Sequence, residues 1–180
     1  MTRPGLLSAA VVALSLVACR AEPAASQSGQ NRLAAPAAPA AAPAAVPEPP
    51  RTSPAGLDLV PLDIVAATGR HHFTVEVART ADQQGQGLMF RTALAADEGM
   101  IFPFPQPRMA SFWMRNTLIP LDMLFIREDG TIARIAANTV PLSEETVTSR
   151  GELVAAVLEL RGGRAAELGI AEGDRVEWRR

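Results

Sequence analysis

The sequence predicts a mainly β, α+β fold: a small, compact β-barrel or sandwich-like domain with two short helices. Three observations lead there. Apolar residues come in short runs with a period of two, glycine, aspartate and proline punctuate those runs, and only two brief stretches carry helix signals.

Leu62, Ile64 and Ala66 alternate with Asp63 and Val65, Thr68-Gly69 offers a turn, and Phe73, Val75 and Val77 alternate with Thr74 and Glu76, which together predict an opening hairpin. Thr80 followed by Gln83 fits a capping box, so a short helix begins near Ala81. Gly85 and Gly87 weaken that helix by roughly 1 kcal/mol each relative to alanine, so packing of Leu88, Met89 and Phe90 must hold it, or another backbone must approach.

Gly99 to Phe104 reads as an apolar strand, and the prolines at 103, 105 and 107 place it at a sheet edge or end it quickly. Ala110 to Met114 is a further strand, and Met123-Leu124-Phe125-Ile126 a buried one. Asp129-Gly130 turns the chain into Thr131 to Ala136. The polar stretch from Asn138 to Gly151 is expected to be a mobile loop. Val154 to Leu160 is a core strand, Gly163 to Leu168 a short helix stopped by Gly169, and Arg175 to Trp178 a closing strand. No internal repeat is visible.

The folded part is expected to span residues 57–180, and what precedes it has another character. Met1-Thr2-Arg3 is a basic start, and Leu6 to Ala18 an uncharged Leu/Ala/Val run of secretory length, too short for the ~20 apolar residues of a membrane span. Residues 1–18 therefore read as a signal peptide. Leu16-Val17-Ala18-Cys19 resembles the lipobox of bacterial lipoproteins, which implies cleavage before Cys19 and acylation of that cysteine, with palmitate among the chains. Residues 19–56, rich in alanine and proline, have prolines that deny regular hydrogen-bonded structure and no aromatic residue to nucleate a core, and read as a disordered tether, able at ~3.1 Å per residue to reach roughly 100 Å from the membrane. The expected location is the cell envelope, on the periplasmic face of a bacterial membrane. Arg20, standing where some bacteria place a retention aspartate, leans the choice towards the outer membrane.

Composition removes several function classes. Cys19 is the only cysteine, so once it is acylated no disulfide or thiolate chemistry is available. A formal net charge of −2 argues against nucleic acid as partner, since such binding gains from a basic face. No lysine occurs, so any anion site must use arginine forks. His71 and His72 are adjacent on a strand and point to opposite faces, and no third histidine completes a zinc set. The methionines at 89, 100, 109, 114 and 123 fit gap-filling core positions better than Cu(I) ligation. No serine lies in a Gly-x-Ser-x-Gly context. Glu144-Glu145 reads as a solvated loop. No metal or cofactor is expected.

The densest chemistry lies between Phe112 and Met123. Alternation puts Phe112, Met114 and Asn116 on one face and Trp113 with Arg115 on the other. Asn116-Thr117 and Ile119-Pro120 signal a turn, after which Asp122 can accept loop N–H groups or pair with an arginine. Two readings fit Arg91, Trp113, Arg115, Asn116 and Asp122. One is a ligand cleft with an indole platform and a guanidinium fork. The other is a network in which Asp122 ties down the turn and Trp113 is core.

These residues, with Phe73-Thr74-Val75-Glu76-Val77-Ala78, Gly87-Leu88-Met89-Phe90-Arg91, Gly99-Met100-Ile101-Phe102 and Val157-Leu158-Glu159-Leu160, resemble the domain of unknown function 192 family. The sharpest part is Phe112-Trp113-Met114-Arg115-Asn116-Thr117 followed by Ile119-Pro120-Leu121-Asp122-Met123. Arg115 stands where the family more often has lysine, and Ala155-Ala156 replaces a more aromatic lead. The resemblance implies a compact, mainly β domain with short helices, and it brings no established activity.

The functional expectation is a non-catalytic, membrane-tethered envelope module that binds a small molecule, a wall component or a protein through the Trp113 to Asp122 region. Two alternatives stand beside it. One is a carboxylate-dependent envelope hydrolase pairing Asp122 with Glu159 or Glu76, although these glutamates also suit exposed strand faces. The other is a structural lipoprotein of an envelope assembly.

Overall fold

The computed structural model describes residues 52–179. The signal peptide, Cys19 and all but the last residues of the tether lie outside that range. Strands β1 (Leu59–Ala66), β2 (Gly69–Val77), β3 (Glu98–Arg108), β5 (Leu121–Ile126), β6 (Ile132–Ala136), β8 (Val154–Arg161) and β9 (Arg175–Trp178) form one sheet in the order β6-β5-β8-β3-β2-β1-β9. Strands β4 (Ser111–Phe112) and β7 (Val147–Thr148) form a two-stranded sheet of their own, and helices α1 (Ala81–Gln86) and α2 (Arg164–Leu168) are short. The mainly β class is what the sequence pattern demands.

The large sheet curls into a half-barrel whose two edges meet. Thr131 bridges Arg175, and at this seam Ile132 N–H donates to Asp174 O, Gly173 N–H to Ile132 O and Val176 N–H to Gly130 O, each at 2.8 Å. Backbone groups that an open sheet would leave unpaired are thereby satisfied. The opening hairpin is as expected, with Ala66 facing Gly69 across the turn. The connection from β2 to β3 is a parallel crossover that carries α1.

Two apolar clusters sit on the two faces of this sheet. Inside the curl, Leu62, Ile64, Phe73, Val75, Ile101, Leu124, Ile132, Leu158, Leu160 and Val176 pack together, and Ala165 and Ile170 around α2 join them. On the outer face, Met100, Phe102, Phe104, Met123, Phe125 and Val157 are covered by Leu88 and Leu94 from the crossover, by Met114 and by Val154. Strands β5 and β8 are thus buried on both sides, which is why Leu121–Ile126 and Val154–Leu160 read as continuous apolar runs instead of alternating ones.

Some local expectations are corrected. β3 is not an edge strand, since it lies between β2 and β8. Its prolines are tolerated because β2 pairing stops at Ile101, whose carbonyl accepts from Ala78. Pro103 turns its backbone to that same side, where no strand needs its missing N–H and its carbonyl accepts from Gln84 Nε2 at 3.1 Å. The strand expected over Ala110 to Met114 shrinks to Ser111–Phe112. The loop from Asn138 to Gly151 holds β7 and anchors itself through buried Thr139 and Ser149. The fold also starts before Leu57, for Ser53 N–H donates to Leu57 O at 2.8 Å and Thr52 bridges Asp58.

Asp122 closes one end of the curl. Fully buried, it accepts through Oδ1 from Asn138 N–H at 2.7 Å and Gly163 N–H at 2.9 Å, and through Oδ2 from Ala165 N–H at 2.8 Å. The α2 N-cap is Gly163, which has no side chain to cap with, so a carboxylate from β5 takes that role. Hydrogen bonds to a charged group contribute roughly 1.5–3 kcal/mol each, enough to pin a five-residue helix that could not stand alone.

Candidate functional site

A cleft lies on the outer face of the sheet, between α1 with its following turn, β3, β4 and the loops at Thr117 and Thr146. Its volume is about 460 Å³, the scale of a small-molecule site. Leu88, Met89, Phe102, Phe112 and Trp113 supply its apolar wall, while Gln84, Gln86, Ser111, Thr117 and Thr146 supply uncharged polar groups. The charged side chains lining it are Glu159 and Arg108.

Each wall has a local cause. The capping box forms as the sequence predicts, with Gln83 N–H donating to Thr80 Oγ1 at 3.2 Å and Thr80 N–H donating to Gln83 Oε1 at 3.0 Å. At Gly87 the helix ends with φ of 49°, and a Cβ there would come within 3.3 Å of the Phe102 ring. Glycine therefore answers both the backbone conformation and the close approach. Phe102 and Phe112 meet edge to face, centroids 5.1 Å apart. Asn116, at φ of 56°, joins two walls: its carbonyl accepts from Phe90 N–H at 2.8 Å, and its Nδ2 donates to Met89 Sδ at 3.7 Å.

Glu159 forms part of the cleft lining and is the anomaly of the molecule. Alternation along β8 sends it to the outer face between its register partners Met100 on β3 and Met123 on β5. Gly99 helps β3 come close there, since a Cβ at that position would lie 2.6 Å from the Glu159 carbonyl oxygen. The side chain is only 4% exposed, and burial alone pushes its pKa up from 4.5 to about 8. No protein group hydrogen-bonds its carboxyl among the described residues. Because no fully enclosed side-chain oxygen there lacks a partner, the Glu159 oxygens must reach the open space of the cleft.

The five sequence-predicted candidates do not converge on this cleft. Trp113 lines it, 47% exposed, and the Arg115 guanidinium sits 5.5 Å over its ring. Asn116 braces the wall from behind. Arg91 turns away and places Nη2 at 2.7 Å from both oxygens of buried Glu76. Asp122 lies on the opposite sheet face from Glu159, because its cross-strand partner is Leu160. The expectation of exposed glutamates at 76 and 159 is overturned, since both are buried. Pattern reasoning passed over Phe102, Arg108 and Thr146, which nothing in their local sequence marks. Glu159 did leave a signal, being an acid inside a run read as a buried strand.

Among the described residues no cluster of three or more His, Cys, Asp or Glu side chains is placed to hold a metal. His72 Nδ1 instead contacts Asp63 Oδ1 at 2.6 Å, and His71 Nε2 contacts Thr68 Oγ1 at 2.9 Å.

Comparison with known proteins gives a family. The model of DUF192, an uncharacterised ACR family, matches residues 63–178. The chain belongs to this family. A crystal structure of a protein of unknown function from Novosphingobium aromaticivorans is similar at 50% identity and a TM-score of 0.69, with 71% of this chain and 91% of that one covered. A candidate transcription regulator from Sinorhizobium meliloti is similar at 46% identity and a TM-score of 0.66, covering 68% of this chain and 95% of that one. No curated protein matches. The DUF192 assignment thus spans β1 to β9 and includes every wall of the cleft, while leaving its chemistry open.

Glu159 yields a pH signature. The unfolded chain ionises this glutamate at its ordinary pKa while the folded protein holds it neutral until about 8, so the folded state loses relative stability as pH rises between those values. The full loss approaches ~5 kcal/mol at ~1.4 kcal/mol per pH unit. Urea denaturation from about pH 5 to about pH 9 should show the wild type falling relative to Glu159→Gln across that window. Parallel stability curves for the two proteins would refute the raised pKa.

Proposed function

We propose that this DUF192 domain is a non-catalytic binding module of the bacterial cell envelope. It takes a small molecule or a wall component in the cleft over Glu159, and Cys19 holds it at a membrane through the Ala/Pro-rich segment. One observation carries the binding role: a buried carboxyl without a protein partner opens into an apolar and aromatic cleft. Its oxygens open only towards the cleft, so a ligand that fills the cleft and displaces water from it must supply the partner that the described residues do not.

The hydrolase alternative draws no support from the geometry. Asp122 is committed to three backbone N–H groups on the other sheet face, so it cannot share a substrate with Glu159. Glu76 is occupied by Arg91. The net charge of −2 favours a small ligand over nucleic acid, and the regulator name belongs to the Sinorhizobium meliloti protein alone.

A specific observation favours a protein partner as a second reading. Phe90, Leu118, Val140 and Leu142 are exposed on three loops beside the cleft, and Phe90 and Leu142 adopt φ values of 63° and 61° that bulky residues avoid. These loops are tied by Phe90 N–H to Asn116 O and Leu142 N–H to Thr117 O, at 2.8 and 3.0 Å.

The binding role is tested by fragment screening against the ¹⁵N-labelled domain. Hits should shift amide signals of Gln84 to Met89, Phe112, Trp113 and Glu159 together, and Trp113→Ala should weaken them about tenfold or more. Fragments that perturb only the Phe90 and Leu142 loops would replace the cleft with the partner surface. Anchoring is tested by metabolic labelling with tritiated palmitate, which should mark the wild type in the membrane fraction. Cys19→Ser should lose the label, and a label that survives this change would overturn the anchor.

A further inference from the structure

We propose that the cleft over Glu159 takes a small zwitterion, its ammonium group against the Glu159 carboxyl and its anionic group at Arg108. The inference rests on the reading of this cleft as a binding site and adds the class of ligand. It begins with the imbalance at the inner end. Glu159 is 4% exposed as a residue, its carboxyl has no hydrogen-bond partner among the described residues, and Met100 and Met123 flank it in register. A cation offers the strongest partner for it, since a charge-assisted hydrogen bond is roughly twice as strong as a neutral one.

The walls agree with a cation. Phe102 and Phe112 pack edge to face, and Met89 completes the apolar side, so the ammonium would be surrounded by π and thioether surface that favours positive charge. An anion would meet the same faces with repulsion and would be placed beside a carboxyl.

The outer end has the opposite character. Arg108 is the one base among the lining residues, its Cζ lies 4.0 Å over the Phe104 ring, and it makes no ion pair among the described residues. A guanidinium fork held in this way suits a carboxylate or phosphate. Glu159 faces Met100, and Arg108 is stacked on Phe104, four positions from Met100 along β3, so at 3.3–3.4 Å per residue the backbone positions beside the two side chains lie roughly 13 Å apart. The two charges of the ligand must therefore stand several bonds apart. Pairing with the ammonium ionises Glu159, and its proton passes to the buffer. Arg108 is the other ionisable side chain lining the cleft, and Met100, Met123, Phe112 and Leu88 are what β3, β5, β4 and the α1 turn present on this face.

Isothermal titration calorimetry of the intact domain near neutral pH, in two bulky tertiary-amine sulfonate buffers of different ionisation enthalpy, PIPES and HEPES, tests the proposal with ε-aminocaproate, β-alanine, hexylamine, hexanoate and N-acetylglucosamine. The expected result is that ε-aminocaproate binds best, about tenfold tighter than hexylamine or β-alanine, with an enthalpy that differs between buffers because a proton is released. Glu159→Gln should weaken it at least tenfold and abolish the buffer dependence, and Arg108→Gln should bring it to the level of hexylamine. Binding of hexanoate or N-acetylglucosamine that equals ε-aminocaproate and survives Glu159→Gln would overturn the zwitterion. So would silence from every charged probe while neutral fragments still shift the cleft signals, in which case the cleft remains a site for another ligand class. If fragments also leave those signals unmoved, the binding reading falls with it.

Discussion

Burial of β8 on both faces dictates how the remaining elements are placed. From Ala156 onward its even positions, Ala156, Leu158 and Leu160, fill the inside of the curl, while Val157 packs in the outer cluster and Glu159 shares its side; Val154, opposite the irregular stretch of β3, also joins the outer cluster. Two layers of covering must then exist. Closure of the sheet through the β6–β9 seam and the α2 plug cover one face, and the α1 crossover with the β4–β7 ribbon covers the other. Glu159 has no freedom in this arrangement, because a strand period of two commits it to the outer layer.

Three buried acids show what that commitment means. Asp122 spends its oxygens on the backbone of α2 and its neighbouring loop, and Glu76 is matched by Arg91. Both are satisfied by the protein itself, as buried polar groups normally are. Glu159 is satisfied by neither backbone nor arginine, and it stays neutral instead of paired. The unpaired acid coincides with this cleft and with its aromatic wall. Local incompatibilities of this kind fall at functional or strained sites, which is the support for the binding role proposed above.

Much of the fold was legible in the sequence because its signals are local. The Thr68-Gly69 hairpin, the Thr80–Gln83 box, the Asp129-Gly130 turn and the Gly169 stop each depend on a few neighbouring residues. β3 was misread because tolerance of its prolines depends on where β2 ends, a fact of tertiary pairing. The site was half legible. Trp113 stood out by residue type and Asn116 by its turn, but the cleft joins positions near 85, 102, 112 and 159, and no spacing along the chain announces that meeting. Asp122 looked like chemistry because an acid in an apolar stretch always does, and only its three N–H partners reveal a helix cap.

Glu159 is held neutral, with no partner among the described residues, at an open cleft. Titration of its side-chain carboxyl by ¹³C NMR, in the free domain with this signal assigned through Glu159→Gln, is the decisive measurement. The expected midpoint is about 8. A midpoint in the ordinary glutamate range would show instead that the carboxyl is solvated or paired.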